Sequence, residues 1–302
     1  MTQRMSARVA ELTTARIPFV HATVVRSQEP SSARAGDDAV ILADGSIEGF
    51  VGGRCAESSV RTAALDVLGD GQSLLLRVLP PDAGEYPPAP RARTVVNSCH
   101  SGGALEIYLE PSLPAPVIGL VGRTPITAAL QALGGLLGFI CQELADGVSV
   151  AGATAVVVAT HGHDEPAALR AALDAGVPYV GLVASPRRGA VVLAELDPSQ
   201  EERARLHSPV GLDIGARTPE EIALSVLAEL VLAIRREGLR ASTTGGAPAP
   251  AQALDPVCGM TVVVGSDTPT HVGAEGTHWF CADGCRDSWA ATHLLAAAQV
   301  PG

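Results

Sequence analysis

Reactive sulfur is the first chemistry the chain offers, in six cysteines whose surroundings differ. Cys55 follows Gly52, Gly53 and Arg54 at a junction between a β-branched run and a helical stretch expected from Ser58 to Leu68. A thiol there feels the amide dipoles of the helix start, which favours the thiolate. Cys99 occupies a comparable run, Asn97-Ser98-Cys99-His100-Ser101-Gly102-Gly103, ahead of a strand expected over 104–110. The two thiols could meet at one site, or each could be an ordinary small buried residue beside a turn. Further on, Cys258 stands apart from the close pair Cys281 and Cys285. Three thiols in so short a segment suit a soft or borderline metal such as zinc or copper, and a unit too small for a core gains from it. His271, His278 and His293 are candidates for a fourth ligand; the alternative is that the thiols simply pack beneath Trp279 and Phe280.

A second kind of chemistry lies in four polar loops: Gly122-Arg123-Thr124-Pro125, His161-Gly162-His163-Asp164, Ser185-Pro186-Arg187-Arg188, and Gly211 to Arg217, which carries Asp213. Arg187 and Arg188 at a helix start oppose the helix dipole, which marks either a solvated turn or an anion clamp. His161 and His163, one residue apart, point in opposite directions in an extended turn. That favours hydrogen bonding to a ligand over a shared metal.

Composition limits the partners. With 302 residues, a net charge of -11 and a pI near 5.1, the chain lacks the basic face that nucleic-acid binding needs. All of its basic residues are arginine, which removes Schiff-base catalysis and a Walker A lysine. An anion would be held by arginine, backbone amides or helix ends. No run reaches the roughly 18 apolar residues of a membrane span and no signal-peptide core opens the chain, so a cytoplasmic protein without stable membrane insertion is expected, its cysteines reduced.

The elements that must position these groups follow from the hydrophobic pattern. Strands are expected at Pro18 to Arg26, at Ala39 to Leu42 paired across Asp44-Gly45 with Ile47 to Val51, and at Gln72 to Leu79; Pro80 to Arg93 reads as a loop. After the proline-punctuated 111–116, continuously apolar strands such as Ala155 to Ala159 alternate with helices, the pattern of a doubly wound parallel sheet. Its ligand crevice belongs at the carboxyl ends of the strands, where the four polar loops fall. Glu143 or Asp146 would be the ribose-binding acid of a dinucleotide site. The last helix opens with a full capping box, Thr218-Pro219-Glu220-Glu221, and should bury Ile222, Val226, Leu227, Leu230, Val231 and Ile234. Residues 241–253 read as a flexible Gly, Pro and Ala linker.

Several of these runs share a pattern. Gly-Gly-Arg-Cys, Cys-His-Ser-Gly-Gly, Gly-Arg-Thr-Pro-Ile, Ala-Thr-His-Gly-His-Asp, Gly-Leu-Val-Ala-Ser-Pro-Arg-Arg and Gly-Leu-Asp-Ile-Gly-Ala-Arg-Thr-Pro together resemble, in order, the XdhC/CoxI family over roughly residues 18 to 235. The tail, Asp-Pro-Val-Cys-Gly-Met with Cys-Ala-Asp-Gly-Cys, resembles a YHS or TRASH-type domain. The resemblance implies an α/β chain: a small α+β domain over 1–113, a Rossmann-like domain over 114–240, and a metal-binding-type domain over 254–302. It further implies an accessory protein, not a turnover enzyme, that holds the molybdenum cofactor (molybdopterin, as mononucleotide or dinucleotide). Such a protein would assist sulfuration and pass the cofactor to a hydroxylase apoenzyme of the xanthine dehydrogenase or carbon monoxide dehydrogenase type, with a cysteine desulfurase as sulfur source and a homodimer as one assembly.

The implied cofactor contacts are Gly52, Gly53, Arg54, Cys55, Cys99, Gly102, Gly103, Gly122, Arg123, Thr124, His161, Gly162, His163, Ser185, Arg187, Arg188, Asp213 and Arg217, with Cys258, Cys281 and Cys285 on a metal. Two other readings stay open. An NAD(P)-dependent oxidoreductase would use the same sheet, although the first loop lacks Gly-x-Gly-x-x-Gly. A metal sensor or metal-delivery protein would act through the tail.

Overall fold

The computed structural model describes residues 3–81, 83–84, 86–96, 103–144, 150–160, 162–240, 250–273 and 276–297, which form two compact units, one of 1–114 with 247–302 and one of 115–246. The candidate residues Cys99, Gly102, His161 and Asp146 lie outside the described residues.

The first unit starts with α1 (Gln3–Thr14), β1 (Phe19–Gln28), β2 (Asp38–Leu42) and β3 (Ile47–Gly49). Then come α2 (Arg54–Asp70), β4 (Leu74–Leu79), β5 (Ala92–Val96) and β6 (Ala104–Ser112). The six strands form one sheet in the order β3-β2-β1-β6-β4-β5, antiparallel except for β4 beside β5. Val60, Ala63, Ala64 and Val67 of α2 pack on Val20, Ala22, Leu76, Ile107 and Leu109 of the sheet, and this burial holds the front of the chain together. Two expectations need correction here. The helix begins at Arg54, not Ser58, because Gly53 in extended backbone serves as its N-cap without any side-chain bond. Cys55 therefore sits in the first helical turn. The expected loop over 80–93 gives way at Ala92 to β5, whose register with β4 is set by a distant partner and not by its own pattern.

The second unit runs β7 (Val117–Val121), α3 (Pro125–Leu136), β8 (Ile140–Glu143), β9 (Ala155–Val158), α4 (Glu165–Asp174) and β10 (Val180–Leu182). It continues with α5 (Pro186–Leu196), α6 (Gln200–Ala204), β11 (Leu206–His207) and α7 (Pro219–Arg236). Its sheet is parallel throughout, in the order β11-β10-β9-β7-β8. Counted along the chain this is the 2-1-3-4-5 order of one common doubly wound arrangement, with its switch point between β7 and β9. The period-two alternation of a strand explains the two cores. Ala155 and Val157 face α3 and α7, with Leu130, Val226 and Leu230; Val156 and Val158 face α4 and α5, with Leu169, Leu173 and Val192. On α7 the inner face holds Ala223, Ser225, Val226, Leu227, Leu230, Ala233 and Ile234. Val231, expected inside, is exposed, because small Ala223 and Ala233 let the helix lie closer on a stripe rotated away from it.

The chain then returns to the first unit with hairpins β12 (Gln252–Leu254)–β13 (Thr261–Val263) and β14 (Thr270–Gly273)–β15 (Gly276–Trp279), and ends in α8 (Asp283–Ala297). This carboxy-terminal module rests on α2. The Thr62 hydroxyl donates to the Thr261 carbonyl at 3.2 Å, and Val95 of β5 packs against the cluster of Met260, Val262 and Cys281. Among the described residues no helix is long and apolar enough to cross a membrane.

Candidate functional site

The polar loops of the second unit sit at the carboxyl ends of neighbouring strands because the sheet is parallel. Gly122 closes the first of them, at φ 106°. A Cβ there would stand 2.4 Å from the Ala159 carbonyl oxygen, so the β7 and β9 ends approach only because the residue is glycine. Thr124 is spent on a capping box with Thr127, and Ser185 accepts from the Arg188 amide to cap α5. Arg123 is exposed, 3.9 Å from Glu143. His163 and Arg187 are exposed as well.

Arg188 departs from the expectation of an anion clamp. Its guanidinium meets the buried Glu165 carboxylate at 2.7 Å, and the other Glu165 oxygen accepts from the Gly162 amide at 3.0 Å. Gly162, at φ 105°, lies directly under that guanidinium. Glu165 thus neutralises Arg188, and the arginine braces the loop; among the described residues Arg187 is the cation of this pair that has no ion pair.

The turn from Gly211 to Arg217 is braced by α7. Glu221 accepts from the amides of Arg217 at 2.7 Å and Thr218 at 3.0 Å, and these bonds hold its carboxyl below the usual range. Gly211, at φ 106°, gives its amide to Glu229, and any Cβ there would strike the Ser225 hydroxyl. Asp213 and Arg217 remain exposed.

Beside this turn lies a feature that no motif in the chain announces. A cavity of about 350 Å³ is lined by Tyr179, His207, Leu212, Asp213, Glu229 and Glu237, among others. Tyr179 is 1% exposed and stacks on His207 with ring centroids 3.8 Å apart. His207 Nδ1 meets Glu229 Oε1 at 2.8 Å. The Tyr179 hydroxyl is buried and its contact with the Glu229 carboxylate falls short of good hydrogen-bond geometry; burial first, then the Glu229 charge and that contact, then the Glu237 charge, hold the phenol firmly neutral. Positions 179, 207, 229 and 237 share no spacing a linear reading could use. Only the Ser208-to-Arg217 run pointed near them.

In the first unit the carboxy-terminal cysteines converge. Cys281 Sγ lies 3.7 Å from Cys258 Sγ and 3.6 Å from Cys285 Sγ, and with Asp255 their ligand atoms all fall within 4.8 Å. A tetrahedral zinc site with bonds of about 2.3 Å places its sulfurs about 3.8 Å apart, so the thiols already stand at metal-ligand spacing. Asp255 organises them. One of its oxygens accepts from the amides of Val257 at 2.8 Å and Cys258 at 3.3 Å, the other from Cys281 at 2.8 Å. Burial opposes its ionisation, but these amides prevail and keep its pKa low. Burial pushes the Cys258 thiol up and the Cys285 thiol up to about 12, the direction a bound cation would reverse. The expected histidine ligands are elsewhere: His271, His278 and His293 surround the Trp289 indole at 5.1, 4.5 and 3.6 Å. Cys281 does pack among Met260, Val262 and Trp279, so the packing expected of these thiols is present beside their metal-ligand spacing.

Of the remaining residues, Gly52, Gly53 and Arg54 lead into α2, Arg54 standing 3.9 Å from Asp283 of α8. Gly103 presses on the Pro30 carbonyl, where a Cβ would clash.

Comparison with known proteins agrees with this architecture. Residues 118–230 match the XdhC Rossmann domain, and residues 12–78 match the XdhC and CoxI family. The chain is 29% identical over 252 residues to the uncharacterized protein YqeB of Escherichia coli (strain K12), covering 74% of this chain and 44% of that protein. It is 39% identical over 84 residues to a probable xanthine dehydrogenase component of Bacillus subtilis (strain 168), covering 27% of this chain and 24% of that protein. It thus spans less than half the length of these relatives. A crystal structure described as a xanthine dehydrogenase from Bacillus halodurans aligns with 80% of this chain and 97% of its own at 17% identity and a TM-score of 0.39. Residues 12–78 of the first unit and 118–230 of the second are thus similar, in chain order, to the XdhC and CoxI family.

Proposed function

We propose that this chain is an accessory factor for a molybdenum hydroxylase: it holds the molybdenum cofactor, assists its sulfuration and delivers it to the apoenzyme, turning over no substrate of its own. The observation that carries the reading is the family match to both units, in chain order. The likeness to a probable xanthine dehydrogenase component supports the choice of client.

The donor set fits such a cargo. A pterin phosphate calls for amides and arginines, and in a chain without lysine the exposed Arg123 and Arg187 stand at the carboxyl edge of the parallel sheet. Gly122 allows the β7 and β9 ends to approach, and Gly162 makes room for the Arg188 guanidinium above it. Cys55 and Cys99 would be the soft donors toward the metal, and a cysteine desulfurase would supply the sulfur. The bound cofactor would bring the oxo and sulfido chemistry that the client uses.

The test is direct. Purified from cells that make the cofactor, the chain should carry a near-stoichiometric pterin, read by fluorescence after oxidation. A pterin-free chain that also fails to protect added cofactor from oxidation would overturn the reading. A second role, metal delivery through Cys258, Cys281 and Cys285, is favoured by the sulfur spacing. Metal analysis of the intact chain should find one thiolate-bound zinc or copper.

A further inference from the structure

The cavity under the Gly211 turn offers acceptors and almost no donors. Glu229 has one oxygen on His207 and the other on the Gly211 amide, which fixes the group in place. His207 gives Nδ1–H to Glu229, so Nε2 is the ring's remaining polar atom. Asp213 and Glu237 add two more carboxylates. The exception is the Tyr179 hydroxyl, buried on a residue 1% exposed and without a partner of good geometry. A buried hydroxyl without a well-aligned partner is unfavourable by roughly 1–3 kcal/mol, so a ligand that accepts from it is stabilised there. The remaining walls are flat or apolar: the Tyr179 and His207 rings, Pro209, Leu212 and Leu232. The volume of about 350 Å³ lies in the range of small-ligand sites.

We infer that this cavity is a binding site for a flat amino-pyrimidinone heterocycle, whose amine and adjacent ring N–H donate to the carboxylates while its carbonyl accepts from Tyr179. This deepens the proposed function and rests on it, since two parts of the expected cargo share that edge: the pterin itself and the guanine of a dinucleotide form. Adenine has no such edge, so the site selects against NAD. Asp213 joins this cavity to the turn that carries Arg217, so the heterocycle and the phosphate it bears would meet two ends of one short loop.

The experiment uses the intact chain and isothermal titration with pterin-6-carboxylate, GMP, AMP and free arginine. Pterin, GMP or both should bind, with AMP and arginine at least about tenfold weaker, the scale of one or two well-made hydrogen bonds. Tyr179→Phe and Glu237→Gln should each weaken that binding about tenfold. Tyr179→Phe removes a hydroxyl whose one contact, with Glu229, is poorly aligned, so its melting temperature should change little, which separates lost binding from lost fold. Binding of pterin alone assigns the cavity to the pterin end; binding of GMP alone assigns it to the nucleotide end.

Binding of neither, tighter binding of AMP or arginine, or binding unchanged in both variants overturns the inference. The two readings fail separately. If both variants still carry pterin as purified, this site is wrong and the carrier stands. If the wild-type chain binds the heterocycle here yet the client matures without the chain, the carrier is wrong and the site stands.

Discussion

Thr218 and Glu221 show how much a single residue pair contributes to the placement of a loop. The Thr218 hydroxyl caps α7 while Glu221 ties down the two amides that end the Asp213–Arg217 turn. Thr218→Ala should destabilise the second unit by about 1 kcal/mol, the usual loss for an N-cap, measured by urea unfolding. The pH dependence follows from Glu221. Its folded pKa is depressed, so its contribution is present above the ordinary carboxylate range and is lost as pH falls through the folded value. Glu221→Gln should therefore lower stability at pH 7, where the carboxylate contributes in full, and flatten the acid limb below about pH 4.5, so that variant and wild type converge at low pH. An acid limb identical to wild type would count against the assignment.

Asp255 does the same service for the cysteines. Asp255→Ala strands three amides in a buried place, and should weaken metal retention by at least about tenfold, assayed by competition with a chromogenic chelator. Cys281→Ser should abolish retention, because that sulfur neighbours both of the others.

At the scale of elements, the lesson concerns glycine and distance. Gly122→Ala would place a methyl 2.4 Å from a carbonyl oxygen in backbone that already has φ 106°, and should destabilise the parallel sheet by about 2–4 kcal/mol. If a chemical denaturation midpoint shows no loss, the close approach of β7 and β9 is wrong. The parallel strands and the α7 cap were legible in the chain because each is written locally: continuous apolar runs in one case, a four-residue box in the other. The start of α2 was not, since a glycine cap leaves no side-chain signature. Nor was β5, whose only reason to be a strand is β4 beside it. The candidate site divides the same way. The loops that carry Arg123, His163, Arg187 and Asp213 announce themselves by composition, while Arg188 reads as a free cation until Glu165 is seen beneath it. The Tyr179, His207 and Glu229 arrangement is assembled by the fold from three elements and has no trace in spacing.

For the molecule as a whole, sequence distance and structural grouping diverge. The last fifty or so residues group with the first third and not with the unit that precedes them in the chain. Metal removal should therefore be felt beyond the cysteines. Chelation should speed amide exchange across β12 to α8 and also along the α2 face near Thr62, while Ala155 to Val158 of the parallel sheet stay protected. Exchange confined to the carboxy-terminal module would show that its seat on α2 is energetically idle.

The bond from Thr62 to Thr261 and the packing of Val95 on Met260 and Val262 carry a practical corollary. Trimming the chain after residue 240 to obtain a tidier two-part protein would bare a hydroxyl, a valine and one flank of the helix that begins with Gly-Gly-Arg-Cys. Whatever such a shortened protein then failed to do could not be charged to the missing cysteines alone, because the surface they left behind would have changed too.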